Sequence, residues 1–243
     1  MKEELEGLTI PLYGDNKGFV KYINHLGTSK TVTNAARVSF GKQNDLPFGE
    51  KDAKLLRYLL KHHHSSPMEQ ISITFMCKVP LPIRSQHMRH RTGKYNEISR
   101  RYSGENIEFF NPHSFRTQHE NNRQASNIED LINPEIQLEK SEMFCGSNYL
   151  ADDIFEFHSA CSLEIYEKLL AAGVCREQAR MVLPQNLYTT YYAQHDLSNL
   201  LKFLKLRTHE GSQAEMVELA KGMETIATAC FPEIMQIWKE LNP

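Results

Sequence analysis

The run Arg89-His90-Arg91-Thr92-Gly93-Lys94-Tyr95-Asn96-Glu97-Ile98-Ser99-Arg100-Arg101-Tyr102 concentrates more chemistry than any other stretch of the chain. Between Arg84 and Arg101 six cations (Arg84, Arg89, Arg91, Lys94, Arg100, Arg101) stand against one carboxylate, Glu97, in a protein of formal net charge -2. Guanidinium forks meet phosphate or carboxylate oxygens two at a time, so an arginine-rich run points to an anionic ligand. Asn96, Glu97 and Ser99 add groups that can read the polar edge of a base or sugar. The mixture describes a nucleotide pocket. A solvated basic face is the alternative, but Thr92-Gly93 breaks the run, and no helical or strand period gathers its charges on one side.

The common nucleotide and hydrolase devices are missing: there is no GxGxxG after a strand, no GxxxxGK[ST], no GxSxG and no HExxH. Side-chain arginines are therefore the candidates for holding a nucleotide. With 243 residues the chain can bury a sizeable core. Its pI near 6.6 argues against a surface coated in basic charge for nucleic acid. Five cysteines, Cys77, Cys145, Cys161, Cys175 and Cys230, are widely spaced with no CxxC pair, which favours free thiols in a reducing compartment over disulfides or zinc. Met1-Lys2-Glu3-Glu4-Leu5-Glu6 lacks the apolar core of a signal peptide, and no apolar run approaches the roughly 20 residues of a membrane span. A cytoplasmic protein with no membrane partner is expected.

The elements that must position the arginine run are legible from period and punctuation. Leu8–Tyr13 and Phe19–Ile23 read as strands around a Gly14-Asp15-Asn16 turn. Leu55, Leu56, Leu59 and Leu60 recur at helical spacing from Asp52 onward, and the helix runs into His62-His63-His64 before Pro67. Three adjacent histidines on a helix point about 100° apart and do not chelate one ion, so no metal site is expected. Ile71–Cys77 alternates as a half-buried strand, and Pro80 and Pro82 open a helix through Ile83 to Arg89. That helix delivers Arg89-His90-Arg91 at its end, into a loop containing Gly93.

Residues 111–141 are polar and aperiodic, including Gln118-His119-Glu120-Asn121-Asn122-Arg123-Gln124, and read as a surface excursion without chemistry. Further helices are predicted from Asp152 to Gly173, with Ile154, Phe157, Cys161, Leu163, Ile165, Leu169 and Leu170 as the buried face, and around Arg176 and Arg180. A strand at Leu187–Tyr192 precedes helices at Leu197–Leu206 and Gln213–Ala229, the latter with a core stripe of Met216, Leu219, Met223 and Ile226. A short helix after Pro232 is expected to bury Trp238. The fold class is α+β: a single domain over 1–243 with a mixed β-sheet and a helical C-terminal half.

Arg-His-Arg, then seven residues, then Ser99, with Asn96-Glu97 before that serine and Arg101-Tyr102 after it, resembles the signature of the flavin-dependent thymidylate synthases. Ala35-Ala36-Arg37-Val38-Ser39-Phe40 and His64-Ser65-Ser66-Pro67-Met68-Glu69 resemble further segments of that family, and the similarity spans roughly residues 33–110 and 150–230. Arg37 is left out of the site. The resemblance implies reductive methylation of dUMP to dTMP, with methylenetetrahydrofolate as carbon donor, FAD as hydride carrier and NADPH as reductant, in a homotetramer with shared active sites.

Residue by residue, the resemblance implies that Gln86, Arg89, Glu97, Ser99, Arg100, Arg101, Arg180 and Arg207 bind dUMP, with Arg207 polarising the pyrimidine as the catalytic residue. Ser66, Arg89, His90, Arg91, Glu97, Asp196 and Lys202 fall to FAD, and His64 to the vicinity of folate and flavin. The chain departs from the family pattern at Ser85, Asp196, Ser198, Lys202 and Gly211. Two other readings stay open: a related flavoprotein with a different reductive reaction, and a non-catalytic nucleic-acid-binding module.

Overall fold

Strand β1 (Thr9–Leu12) turns through Gly14 into β2 (Gly18–Leu26), and the two pair antiparallel. Helix α1 (Ser29–Val38) follows, its start fixed by a reciprocal cap between Thr28 and Thr31. The structure, a computed structural model, describes residues 5–123, 125–138 and 148–242. Of the positions discussed above, Met1–Glu4, Gln124, the end of the polar excursion and Cys145 lie outside the described residues.

Helix α2 (Glu50–Lys61) buries Leu56, Leu59 and Leu60 as its period requires. It ends at Lys61, before the three histidines, because His63 takes a left-handed backbone (φ 54°) and the His64 N–H closes back on Leu59 O. His62 and His64 pack on Tyr58, the His64 ring stacked at 5.6 Å. Among the described residues no group of three or more His, Cys, Asp or Glu is placed to hold a metal ion.

A 3-10 turn at Ser66–Gln70 leads into β3 (Ser72–Pro80), then helix α3 (Leu81–His87) and β4 (Lys94–Glu97). The expected polar excursion contains two ribbons: β5 (Phe115–Gln118) pairs with β6 (Ser126–Ile132), and β7 (Glu135–Gln137) with β8 (Asn148–Leu150). Backbone pairing rather than an apolar face defines these strands, so hydrophobic period could not reveal them. Helix α4 (Ala151–Ala171), the short α5 (Arg176–Ala179), β9 (Tyr188–Asp196) and helices α6 (Leu197–Arg207), α7 (Ala214–Cys230) and α8 (Pro232–Leu241) complete the chain.

The fold is α+β, with the C-terminal half carried by helices. The main sheet runs β1-β2-β3-β9-β4. Its registered pairs β1–β2, β2–β3 and β4–β9 are all antiparallel. Leu197 N–H bonds to Ile71 O and Leu81 N–H to Leu187 O, so β9 also runs against β3. The sheet expected to be mixed is in detail an antiparallel one.

Two compact units divide the chain. The first comprises Met1–Lys78, Gln86–Glu97 and Thr190–Pro243. In it α7 packs on β1 and β2, with Met216, Leu219, Met223 and Ile226 fully buried, so the methionine stripe is core. Gly222 permits that approach: a Cβ there would lie 2.6 Å from Val20 Cγ1. Asp52 is the polar hub, accepting from Arg37, Lys30, Thr33 and the Gly49 N–H, contacts that hold its carboxyl far below the usual range against the opposing effect of burial. Arg37 is thus a structural ion-pair partner. Cys77 is buried, its thiol pushed up to about 12 by desolvation. Trp238, expected inside, is half-buried beside a cavity.

The second unit, Val79–Ser85 and Ile98–Thr189, has its own small core of Phe109, Tyr166, Ala179, Leu183 and Leu187. Helix α4 turns Ala151, Ser159, Ser162 and Tyr166 inward, so its buried face is centred differently from the expected one and Ile165 is exposed. Apolar residues surround this helix on several sides, and period alone could not choose among them. Among the described residues no helix is long and apolar enough to cross a membrane, and Cys77, Cys161, Cys175 and Cys230 are free thiols.

Candidate functional site

In the first unit α3 ends at His87, and successive turns then fold the loop: Arg89 N–H to Gln86 O (3.3 Å), His90 N–H to His87 O (3.0 Å) and Gly93 N–H to His90 O (3.0 Å). The Tyr95 hydroxyl pins the same loop from β4, lying 3.0 Å from both the His87 and His90 carbonyl oxygens. Gly93 is required by close approach: an added Cβ would sit 2.5 Å from Tyr95 Oη and 2.7 Å from His195 Cε1. With the loop so held, Arg89, Arg91 and Lys94 remain exposed.

Helix α6 brings the other half of this cluster. The Asp196 carboxylate caps it by accepting from the Asn199 backbone N–H (2.9 Å) and side-chain amide (2.6 Å). Its last residue, Arg207, donates from Nε to His90 Nε2 at 3.1 Å, and the His90 ring meets Phe203 edge-on. Burial, then the neighbouring Arg207 charge, lowers the His90 pKa, which keeps the ring a neutral acceptor.

Beneath lies a polar layer that the sequence reading missed. His87 and His195 are fully buried and stacked, with their Nε2 atoms 3.1 Å apart, and His87 Nδ1 lies 2.8 Å from the Tyr191 hydroxyl. Desolvation drives both imidazoles toward the neutral form, His87 well below its ordinary pKa and His195 to about 4. His195 Nδ1 is buried without a protein partner. The alternation Tyr191, Ala193, His195 on β9 puts His195 on the buried face, which is the signal a strand ending at Tyr192 loses.

Gln86 joins this cluster through Gln213, which in turn bonds to the buried Glu215. Glu97 is half-buried on β4 opposite Tyr191. Lys202 sits on a different face of α6 from Arg207, at a cavity of about 260 Å³ whose apolar wall is Leu60, Met68, Leu201 and Trp238. Ser65 and His63 also line it, while the assigned neighbours His64 and Ser66 are exposed beside them. An apolar wall rimmed by lysine and serine fits a ring system bearing phosphate.

The second unit holds Ser99, Arg100, Arg101 and Arg180. Ser99 closes a turn, its carbonyl accepting from Tyr102 and Ser103 N–H and its Oγ from Arg101 N–H. Arg100 directs its fork to the carbonyls of Glu105 (2.7 Å) and Asn106 (3.3 Å), so it braces the loop. Arg101 reaches Glu177 at 3.8 Å, which places this turn beside α5 and the exposed Arg180 that follows it.

The family model described as thymidylate synthase complementing protein, Thy1, matches residues 21–233. The chain belongs to the flavin-dependent thymidylate synthase family. The synthase of that name from Thermus thermophilus is 39% identical over 229 residues, covering 94% of this chain and 77% of the relative. The Borreliella burgdorferi synthase is 33% identical, covering 89% and 78%. Among solved structures, a UMP/dUMP methylase from Streptomyces cacaoi bound with 5-Br dUMP superposes with a TM-score of 0.75 at 28% identity, covering 95% of this chain and 97% of the other.

Proposed function

We propose that the chain reductively methylates dUMP to dTMP. The observation that carries this reading is the Arg207–His90 bond, which ties a half-buried guanidinium to the arginine loop in a chain similar to a nucleotide-bound methylase. A fixed cation at the pyrimidine edge stabilises negative charge as the ring is activated, and preorganised charge of this kind is commonly a large catalytic term. Arg89, Arg101 and Arg180 offer forks to the phosphate, with Gln86, Glu97, Ser99 and Arg100 completing the nucleotide site.

FAD is held in this reading by Arg89, His90, Arg91, Glu97, Ser66, Asp196 and Lys202, and supplies hydride chemistry when bound. The chemistry of the donor set fits: exposed guanidinium groups for a pyrophosphate, and an apolar wall rimmed by Lys202 for a ring. Asp196 contributes through the helix end it caps. His64 lies toward the folate and flavin. Methylenetetrahydrofolate donates the carbon and NADPH the electrons, in the cytoplasm, with neither nucleic acid nor membrane as partner. In this reading the chain assembles as a homotetramer that shares its sites.

The test is dUMP-dependent oxidation of reduced flavin by the purified protein, with and without methylenetetrahydrofolate, and identification of dTMP as product. Oxidation without methyl transfer would favour another reductive flavoprotein. A colourless protein with salt-sensitive nucleic-acid binding would favour the binding module. Because the Streptomyces cacaoi enzyme is described as a UMP/dUMP methylase, UMP belongs in the same assay.

A further inference from the structure

Gln86 is aimed by two residues outside the arginine loop. Glu215, in the first turn of α7, is buried, and its Oε2 accepts from Gln213 Nε2 at 2.9 Å. An ionised carboxylate accepts and does not donate. Gln213 must therefore turn its NH2 toward Glu215 and its carbonyl oxygen the other way. That oxygen accepts from Gln86 Nε2. The direction of the whole chain is thus set at its buried end, whichever way an isolated amide would prefer to lie.

The consequence falls on Gln86 Oε1. One N–H of Gln86 is engaged by Gln213, and no protein donor among the described residues reaches Oε1. Arg89, Arg91 and Arg207 are donors only. A carbonyl oxygen cannot help to bind a phosphate, which is all acceptor, and it suits an O–H or N–H on the ligand.

We propose that Gln213 and Glu215 are positioning residues that lock the Gln86 amide with its oxygen free, so that Gln86 recognises a hydrogen-bond donor of the nucleotide, a sugar hydroxyl or the ring N3–H, rather than its phosphate. The proposal rests on the reading of dUMP as substrate. Glu215→Gln removes the directionality while keeping size, since an amide at 215 donates as readily as it accepts.

The experiment is equilibrium binding of dUMP, 2′,3′-dideoxyuridine monophosphate and N3-methyl-dUMP to the flavin-loaded wild type, Gln86→Ala, Glu215→Gln and Gln213→Ala. One analogue is expected to bind the wild type about tenfold more weakly than dUMP, the loss of one well-placed bond. That penalty should fall below about threefold in all three variants, with flavin content retained, and the analogue concerned tells sugar from base. Gln213→Ala gives the same reading should Glu215→Gln fold poorly. Penalties unchanged in the Glu215 and Gln213 variants, or both analogues binding the wild type as dUMP does, would overturn the proposal. Loss of dUMP binding by the wild type itself would overturn the substrate reading as well.

Discussion

Arg207 Nε donates to His90 Nε2 at 3.1 Å, joining the last residue of one helix to the loop that follows another. The bond uses one of the five N–H donors of the guanidinium and leaves the fork at its tip for a ligand. It also demands a neutral imidazole, which burial and the adjacent cation supply.

Arg207→Ala should lower dTMP formation by at least about 10²-fold, the scale of losing a preorganised charge, while flavin absorbance stays near that of the wild type. Steady-state turnover with the flavin spectrum checks this, and near-normal turnover would remove Arg207 from the mechanism. His90→Phe keeps the packing on Phe203 but loses the acceptor. If His90 works through Arg207, the double variant should turn over no more slowly than Arg207→Ala alone.

The buried His87–His195 pair makes stability acid-sensitive. His195 titrates near 4 in the folded chain and about 6.5 when unfolded, so between these values the unfolded chain binds more protons. Its contribution is fully present above pH 6.5 and is lost as pH falls toward 4, by about 3 kcal/mol in all. The groups facing the pair are Tyr95, Tyr191, Phe203, His90, Arg207 and Asp196. Urea midpoints measured stepwise across this window should fall, and His195→Gln, which cannot ionise, should flatten the slope.

Gly93→Ala drives a methyl to 2.5 Å from Tyr95 Oη and 2.7 Å from a fully buried imidazole. Neither neighbour can retreat cheaply, since the hydroxyl is tied to two carbonyls. Destabilisation of about 1–3 kcal/mol is expected, read as a drop in thermal midpoint; an unchanged midpoint would show that the loop gives way without cost.

Arg101→Ala should chiefly weaken dUMP binding, by roughly tenfold or more, as expected for a charge-assisted contact. Its exposed 3.8 Å pair with Glu177 is worth little, so the thermal midpoint should barely move. Lost flavin with intact nucleotide affinity would reverse the division of the motif between substrate and cofactor.

Sequence period made the helices at Glu50–Lys61, Leu197–Arg207 and Ala214–Cys230 legible, because each lays leucine or methionine on one buried stripe. It passed over α1, whose identity rests on the Thr28–Thr31 cap more than on apolar content, and the ribbons between Phe115 and Leu150, whose strands expose most of their side chains. At the site, residue type and spacing singled out the Arg89–Arg101 run, whose charge is its signal, and the family resemblance added Arg207. They could not find His87, His195, Gln213 or Glu215, which matter through partners 108, 127 or 2 residues away and look singly like ordinary polar residues.

Cys77 lies fully enclosed behind Tyr191, and with Cys230 its thiol is pushed up to about 12. Alkylating agents and peroxides attack the thiolate, and neither position offers one. Oxidants therefore meet no ready thiolate at these two sulfurs, and among the described residues the thiols they can reach are Cys175, out on the surface, and the half-buried Cys161.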